Sequence, residues 1–238
     1  MKIRLFTIPN CVTLCNLLCG ALAVITTLTD GNLVLAFWLV IASALFDFLD
    51  GMTARLLKQY SEIGVQLDSL ADMVSFGLVP SVVIYSMFQR VSTSWDEHWV
   101  VLGGLAIFMI VACSALRLAK FNIDDTQHEE FSGLPTPASA LFCLSLGWLF
   151  DRGILTLSRL ALVLVSLCIA ALLVSPIRMF SFKFKGLGWH GNELRFIFAL
   201  GCVALLVWLK IAALPIIIVL YVLISAVRWV LTLNEKEG

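Results

Sequence analysis

Residues 47–55 read Asp47-Phe48-Leu49-Asp50-Gly51-Met52-Thr53-Ala54-Arg55, and eight residues later the chain continues Gly64-Val65-Gln66-Leu67-Asp68-Ser69-Leu70-Ala71-Asp72. Four carboxylates, one guanidinium and two glycines are set in apolar sequence. A carboxylate at the centre of a bilayer costs roughly 3 kcal/mol on insertion scales and more in simulations, so such residues face a wet cavity and mark a site. A bound divalent cation accounts for four of them most economically. At about 100° per residue, Asp47, Asp50, Gly51 and Ala54 fall on one side of a helix, and Asp68 and Asp72 share a face of the next. The short connection from Leu56 to Ile63 makes the two helices antiparallel neighbours, so the carboxylate pairs converge on one pocket.

Composition agrees with a membrane setting. The 238 residues are 61% hydrophobic and 13% charged, with a mean hydropathy of +0.99, against about 45–50% and 25% in soluble domains. The fold expected is all-α, a polytopic membrane bundle of about eight transmembrane helices in a single domain over 1–238. At about 20 apolar residues per span, these cover 11–29, 33–56, 65–89, 98–120, 137–151, 155–175, 194–210 and 213–232, or seven spans if the last two fuse across Lys210 and Pro215. Lys2 and Arg4 precede the first apolar run without a small-residue cleavage site, which predicts a retained first helix preceded by a short interfacial one. Zero net charge and a pI near 6.8 give no sign of a nucleic-acid partner.

With the N-terminus inside, Lys2, Arg4, Arg55, Lys58, Arg117, Lys120, Arg178, Lys183, Lys185, Arg195, Arg228 and Lys236 lie at inner loops and helix ends. Arg90, Arg152, Arg159 and Lys210 lie outside. Twelve cations against four satisfy the positive-inside rule and put the aspartates on the cytoplasmic side.

An all-oxygen donor set suits Mg²⁺ or Mn²⁺, with room for two ions that keep positions open for substrate phosphate. Gly51 and Ala54 let a ligand or another helix approach the backbone, and Arg55, one turn on, can pair with phosphate. Together they describe a site for a diphosphate-containing, lipid-linked substrate. An ion pathway also buries aspartates, as a divalent-cation transporter would, but Arg55 opposes cation passage.

The spacing D-x-x-D-G-x-x-A-R-(x8)-G-x-x-x-D-x-x-x-D resembles the signature of the CDP-alcohol phosphotransferases, matched by Asp47, Asp50, Gly51, Ala54, Arg55, Gly64, Asp68 and Asp72. The resemblance implies a six-helix catalytic core, leaving about two extra C-terminal helices, in a homodimer. It implies transfer of a phosphoalcohol group from a CDP-linked donor to an acceptor hydroxyl with release of CMP. By the same resemblance Asp47, Asp50 and Asp68 hold metal, Asp72 shares a second ion and acts as general base, and Asp50, Gly51, Ala54, Arg55, Gly64 and Asp68 contact the CDP. The need to remove the acceptor proton independently favours a base such as Asp72.

Three further segments are similar to the phosphatidylserine synthase branch: Ile8 to Gly20, Ala115 to Asn122, and Phe131 to Ala138. That branch uses CDP-diacylglycerol and L-serine at the inner membrane of prokaryotes. Glycerol 3-phosphate or an inositol phosphate are the alternative acceptors within the family, and they call for a denser basic pocket. Asn10, Thr13 and Asn16 recur every three residues. Such a stripe either hydrogen-bonds the nucleotide, for which Asn10 and Thr13 are the candidates, or the carboxylates, or joins helices. Arg117 and Lys120, one turn apart, suit the serine carboxylate or a lipid phosphate, or mark the membrane boundary. Asn122 and Thr136 are further acceptor candidates from the resemblance, and Gly133 to Pro137 form a stiff turn, since each proline fixes φ.

The remaining polar features carry no chemistry. Cys11, Cys15 and Cys19 form a stripe better read as small hydrophobes than as metal ligands. The acidic stretch Asp124, Asp125, Glu129 and Glu130 with His128 reads as a solvated loop. Gly186 to Gly191, containing His190, reads as an interfacial turn anchored by Trp189, and His98 has no catalytic partners.

Overall fold

The computed structural model describes residues 5–92, 94–123, 131–180 and 192–237. The expectations for Lys2, Arg4, Lys183, Lys185, the acidic stretch 124–130 with His128, and the Gly186 to Gly191 turn with Trp189 and His190 lie outside the described residues. Helical rods occupy the eight places expected: α1 (Ile8–Thr29), α2 (Leu33–Leu56), α3 (Glu62–Asp72) running through a π-helical turn (Met73–Leu78) into α4 (Val79–Arg90), α5 (Glu97–Ile107) with α6 (Met109–Ile123), α7 (Thr136–Asp151), α8 (Arg159–Val174), α9 (Glu193–Leu209) and α10 (Ala213–Glu237). Ile8–Thr29, Leu33–Leu56, Glu62–Arg90, Glu97–Ile123 and Glu193–Thr232 are long and apolar enough to cross a membrane. The last of these runs holds both α9 and α10, parted by a 3-10 turn at Lys210–Ala212.

The helix ends follow from local chemistry. Thr7 caps α1 by accepting from the Asn10 amide (3.3 Å), and Pro9 sits in the first turn, where a missing N–H costs nothing. This corrects one expectation. Residues 5–7 are not helical, and the span begins at Ile8, so no separate interfacial helix precedes it among the described residues. Ser61 caps α3 by accepting from Gly64 N–H (3.1 Å), after Lys58 turns the chain at a φ of 52°.

Two features depart from straight α-helices. Within the third rod, Val79 N–H bonds the Val74 carbonyl five residues back. Pro80 cannot donate to Phe76, and its ring would strike that carbonyl, so the backbone widens ahead of it. A two-residue antiparallel ladder, β1 (Phe131–Ser132) with β2 (Arg178–Met179), joins the segment before α7 to the one after α8, a strand pairing not expected from the sequence.

α1 packs on α2, α3 and the π turn, α7 on α2, α4 and α10, and α6 on α8. Lipid tails are as apolar as leucine, so such contacts rest on close packing and interhelical hydrogen bonds averaging roughly 0.6 kcal/mol each. Small residues make the approach possible. A Cβ on Gly20 would collide with the Ser75 hydroxyl and come within 3.0 Å of Ser75 Cα. Gly20→Val is therefore expected to lower the detergent melting temperature, by an overpacking cost of about 1–3 kcal/mol, and to lower activity too, because Ser75 belongs to the polar network described below. An unchanged melting temperature would show that α1 can shift without loss.

Arg90, Arg152 and Arg159 gather at one end of the bundle with the α1–α2 turn. Arg90 pairs with Asp151 (3.1 Å) and donates to Gly31 O, Arg152 lines the same hollow, and Arg159 Nε donates to Phe88 O (3.2 Å). The aspartate-bearing end of α2 is at the opposite end.

Candidate active site

Near the C-terminal end of α2 and along α3, one carboxylate oxygen from each of Asp47, Asp50 and Asp68 lies within 4.8 Å of the others. Asp47 is also within hydrogen-bonding reach of Asp72. All four aspartates are therefore brought together, as helix periodicity and the short connection required. Asp50 is buried, and its Oδ2 has no hydrogen-bond partner. A buried carboxylate oxygen left without a donor is costly, and a cation shared with Asp47 and Asp68 would supply the missing partner. The oxygen-only donor set thus fits a hard divalent ion.

The surroundings are built by α1. Thr13, buried, faces Asp50 and donates its hydroxyl to Pro9 O (3.1 Å). Asn10 donates through Nδ2 to Leu5 O (2.8 Å), and a Cβ on Gly64 would stand 3.3 Å from Asn10 Oδ1. Gly64 is thus a point of close approach between α1 and α3. Gly51 behaves differently. Its missing side chain faces no other helix, since only Arg55 Nη2 comes within 4 Å of the position (3.9 Å). The space beside Gly51 is left open by the protein. Arg55 is exposed and donates through Nε to Gly51 O (3.0 Å), which draws its guanidinium over that gap.

Asn16 is the residue whose place the sequence left open. It is fully buried, donates through Nδ2 to Asp72 Oδ1 (3.4 Å), and accepts at Oδ1 from the hydroxyls of Ser43 and Ser75 (2.8 Å for Ser75). Two donors on the oxygen orient the amide so that its NH₂ can only point to Asp72. Ser43 and Ser75 were missed by the sequence reading. Their signal was faint: Ser43 lies one helical turn before Asp47, and Ser75 reaches α1 only because the π turn rotates it there.

Three of the four acceptor candidates, Arg117, Lys120 and Thr136, form a second cluster. A cavity of about 290 Å³ is lined by Leu116, Arg117, Lys120, Ser132, Leu173, Val174 and Ser175. Arg117 is buried. Its Nη1 donates to Thr136 Oγ1 (3.4 Å), its Nε has no partner, and Asp72 is an electrostatic neighbour. Lys120 Nζ donates to Ser132 Oγ (3.3 Å). Asn122 is not drawn into this cavity; its amide donates to Ser69 (2.8 Å), one residue from Asp68. A larger hollow of about 1060 Å³ lies at the opposite end of the bundle around Asp30, Arg90, Asp151 and Arg152, and holds none of these residues.

The CDP-alcohol phosphatidyltransferase family model matches residues 6–176, which include every element of the carboxylate site. The chain belongs to that family. Among curated relatives, this member is 32% identical over 237 residues to a CDP-diacylglycerol–serine O-phosphatidyltransferase of Helicobacter pylori strain J99, covering 95% of this chain and 92% of the relative. A Bacillus subtilis protein of the same name is 32% identical over 176 residues, 74% of this chain and 91% of its own length. One from Mycobacterium tuberculosis strain H37Rv is 36% identical over 152 residues, 60% of this chain and 50% of the relative. As a family member with five runs able to cross a membrane, the chain is a multi-pass membrane enzyme.

Proposed function

We propose that this chain transfers the phosphatidyl group of CDP-diacylglycerol to the hydroxyl of L-serine, giving phosphatidylserine and CMP. The observation that carries this reading is the juxtaposition of a four-carboxylate cluster, one oxygen of it buried without a partner, with a cationic cavity whose Arg117 is an electrostatic neighbour of Asp72. The similarity to proteins named for the serine reaction supports the acceptor.

Asp47, Asp50 and Asp68 would hold Mg²⁺ or Mn²⁺, with Asp72 shared with a second ion. A divalent cation there supplies Lewis-acid neutralisation of the diphosphate charge. Gly51 and Ala54 leave room for the nucleotide, Arg55 pairs with phosphate, and Asn10, Thr13 and Gly64 line the CDP side. Arg117 and Lys120 bind the serine carboxylate, and Thr136 orients the guanidinium. Asp72, oriented by Asn16, takes the proton from the serine hydroxyl. The oxygen forms a bond to the phosphorus bearing diacylglycerol, the bond from that phosphorus to the CMP oxygen breaks, and CMP leaves with the electron pair.

In this reading the whole of 1–238 is one domain, a six-helix core followed by α9 and α10. It works as a homodimer in the plasma (inner) membrane of a prokaryote, with the carboxylates opening to the cytoplasm. Membrane lipid is its solvent and its substrate source, and no nucleic acid is involved.

The test is CMP release by purified protein in detergent with CDP-diacylglycerol, comparing L-serine, glycerol 3-phosphate and inositol phosphate. Serine-dependent release with formation of phosphatidylserine is expected. A chelator is expected to abolish it, and added Mg²⁺ or Mn²⁺ to restore it. Release with another acceptor alone would overturn the serine assignment, and turnover surviving full chelation would overturn the metal role.

A further inference from the structure

Beyond the family-matched residues, the chain packs against the β-ladder that borders the cationic cavity. The Ser132 that holds Lys120 belongs to β1, and β1 pairs only two residues with β2. So short a ladder cannot hold itself in place. It is held by its neighbours. Gly133 N–H bonds Ile177 O (2.9 Å), Leu134 N–H bonds Leu172 O (2.9 Å), and Ser132 Oγ donates to Ser175 O (3.4 Å). Gly133 has a φ of 77°, and a Cβ there would meet the Leu173 carbonyl at 2.5 Å, so the turn fits only glycine.

A further hold comes from α10. Tyr221 is buried, and its hydroxyl donates to Phe180 O (3.0 Å), the residue next to β2. Its ring packs against Phe180 (centroids 4.9 Å apart) and Phe198 of α9 (6.2 Å). Leu134, Met179, Phe180, Phe198 and Tyr221 make a small core separate from the main one, and Arg117 is an electrostatic neighbour of Tyr221. The core thus lies directly behind the ladder and the Gly133 to Thr136 turn, whose last residue accepts from Arg117.

We propose that Tyr221 is a positioning residue for acceptor recognition: by tying α10 to the Phe180 carbonyl it fixes the β1–β2 ladder and with it Ser132 and Thr136, the partners that orient Lys120 and Arg117. This extends the proposed function and rests on that reading for the identity of the acceptor. It gives α9 and α10, which lie outside the family-matched segment, a part in selecting the acceptor.

The test is Tyr221→Phe, which removes the hydroxyl and keeps the ring, assayed in the full-length protein with whichever acceptor the parent enzyme uses. The KM for acceptor is expected to rise about fivefold, the scale of one lost hydrogen bond. The KM for CDP-diacylglycerol and kcat at saturating acceptor should stay within twofold. Hydrogen exchange at the Gly133 and Leu134 amides should quicken. Ser132→Ala is expected to raise the same KM, and the double variant to add little, because both act through one ladder. An unchanged acceptor KM, an equal rise in both KM values, or unchanged exchange at those amides would each overturn the proposal. The exchange arm needs no acceptor, so a parent inactive with serine would sink the functional reading while the ladder's dependence on Tyr221 is still decided.

Discussion

Asp68→Asn and Asp47→Asn are each expected to lower the rate of CMP release by about 10³-fold or more, the scale on which removing pre-organised charge stabilisation acts, with the protein still inserting and purifying as a folded bundle. The reason is geometric. Each carboxylate supplies one of three oxygens that lie within 4.8 Å of one another, and an amide oxygen replaces a full negative charge with a dipole. Stability should move the other way. Without metal, the clustered carboxylates repel one another, so each variant should melt at or above the temperature of the metal-free parent, a trade-off common at functional sites. Asp30→Asn is the control, since Asp30 lies at the opposite end of the bundle in the hollow beside Arg90. Activity retained in either site variant, measured as metal-dependent CMP release, would remove that residue from the metal set.

Asp72→Asn is expected to lose about 10²–10⁴-fold in rate, the contribution of a positioned general base, with CDP-diacylglycerol binding largely kept. The two losses differ in kind, because Asp72 stands at the start of the π turn and bonds Asn16 rather than completing the triad of Asp47, Asp50 and Asp68. Asn16→Leu tests the same role at one remove. It deletes the donor to Asp72 and strands the hydroxyls of Ser43 and Ser75, so it should depress kcat more than the KM for either substrate. A normal rate for Asp72→Asn, with nucleotide-lipid binding measured in parallel, would take the base role away from Asp72.

The sequence by itself determined the helical membrane character and the meeting of the four aspartates. Both are consequences of local rules. A run of about 20 apolar residues has one stable form in a bilayer, because every backbone polar group must bond within its own segment. Spacings of three and four residues put Asp47 beside Asp50, and Asp68 beside Asp72, whatever surrounds them. The link from Leu57 to Ser61 is too short for α2 and α3 to be anything but neighbours. Family membership was legible for the same reason, since the motif is a pattern of intervals.

Only the tertiary structure decided how Asp72 is oriented and how the acceptor cavity is framed. Asn16 could have faced nucleotide, carboxylate or a neighbouring helix. It faces Asp72 because Gly20 lets α1 settle onto Ser75, and because Pro80 forces the π turn that brings Ser75 round. Arg117 and Lys120 read equally well as boundary cations. They line a cavity whose wall includes Ser132 of a two-residue ladder joining segments nearly fifty residues apart, with Tyr221 of α10 bonded to the adjoining Phe180. Contacts of that kind depend on which surfaces meet once all the helices have packed, and no interval along the chain encodes them.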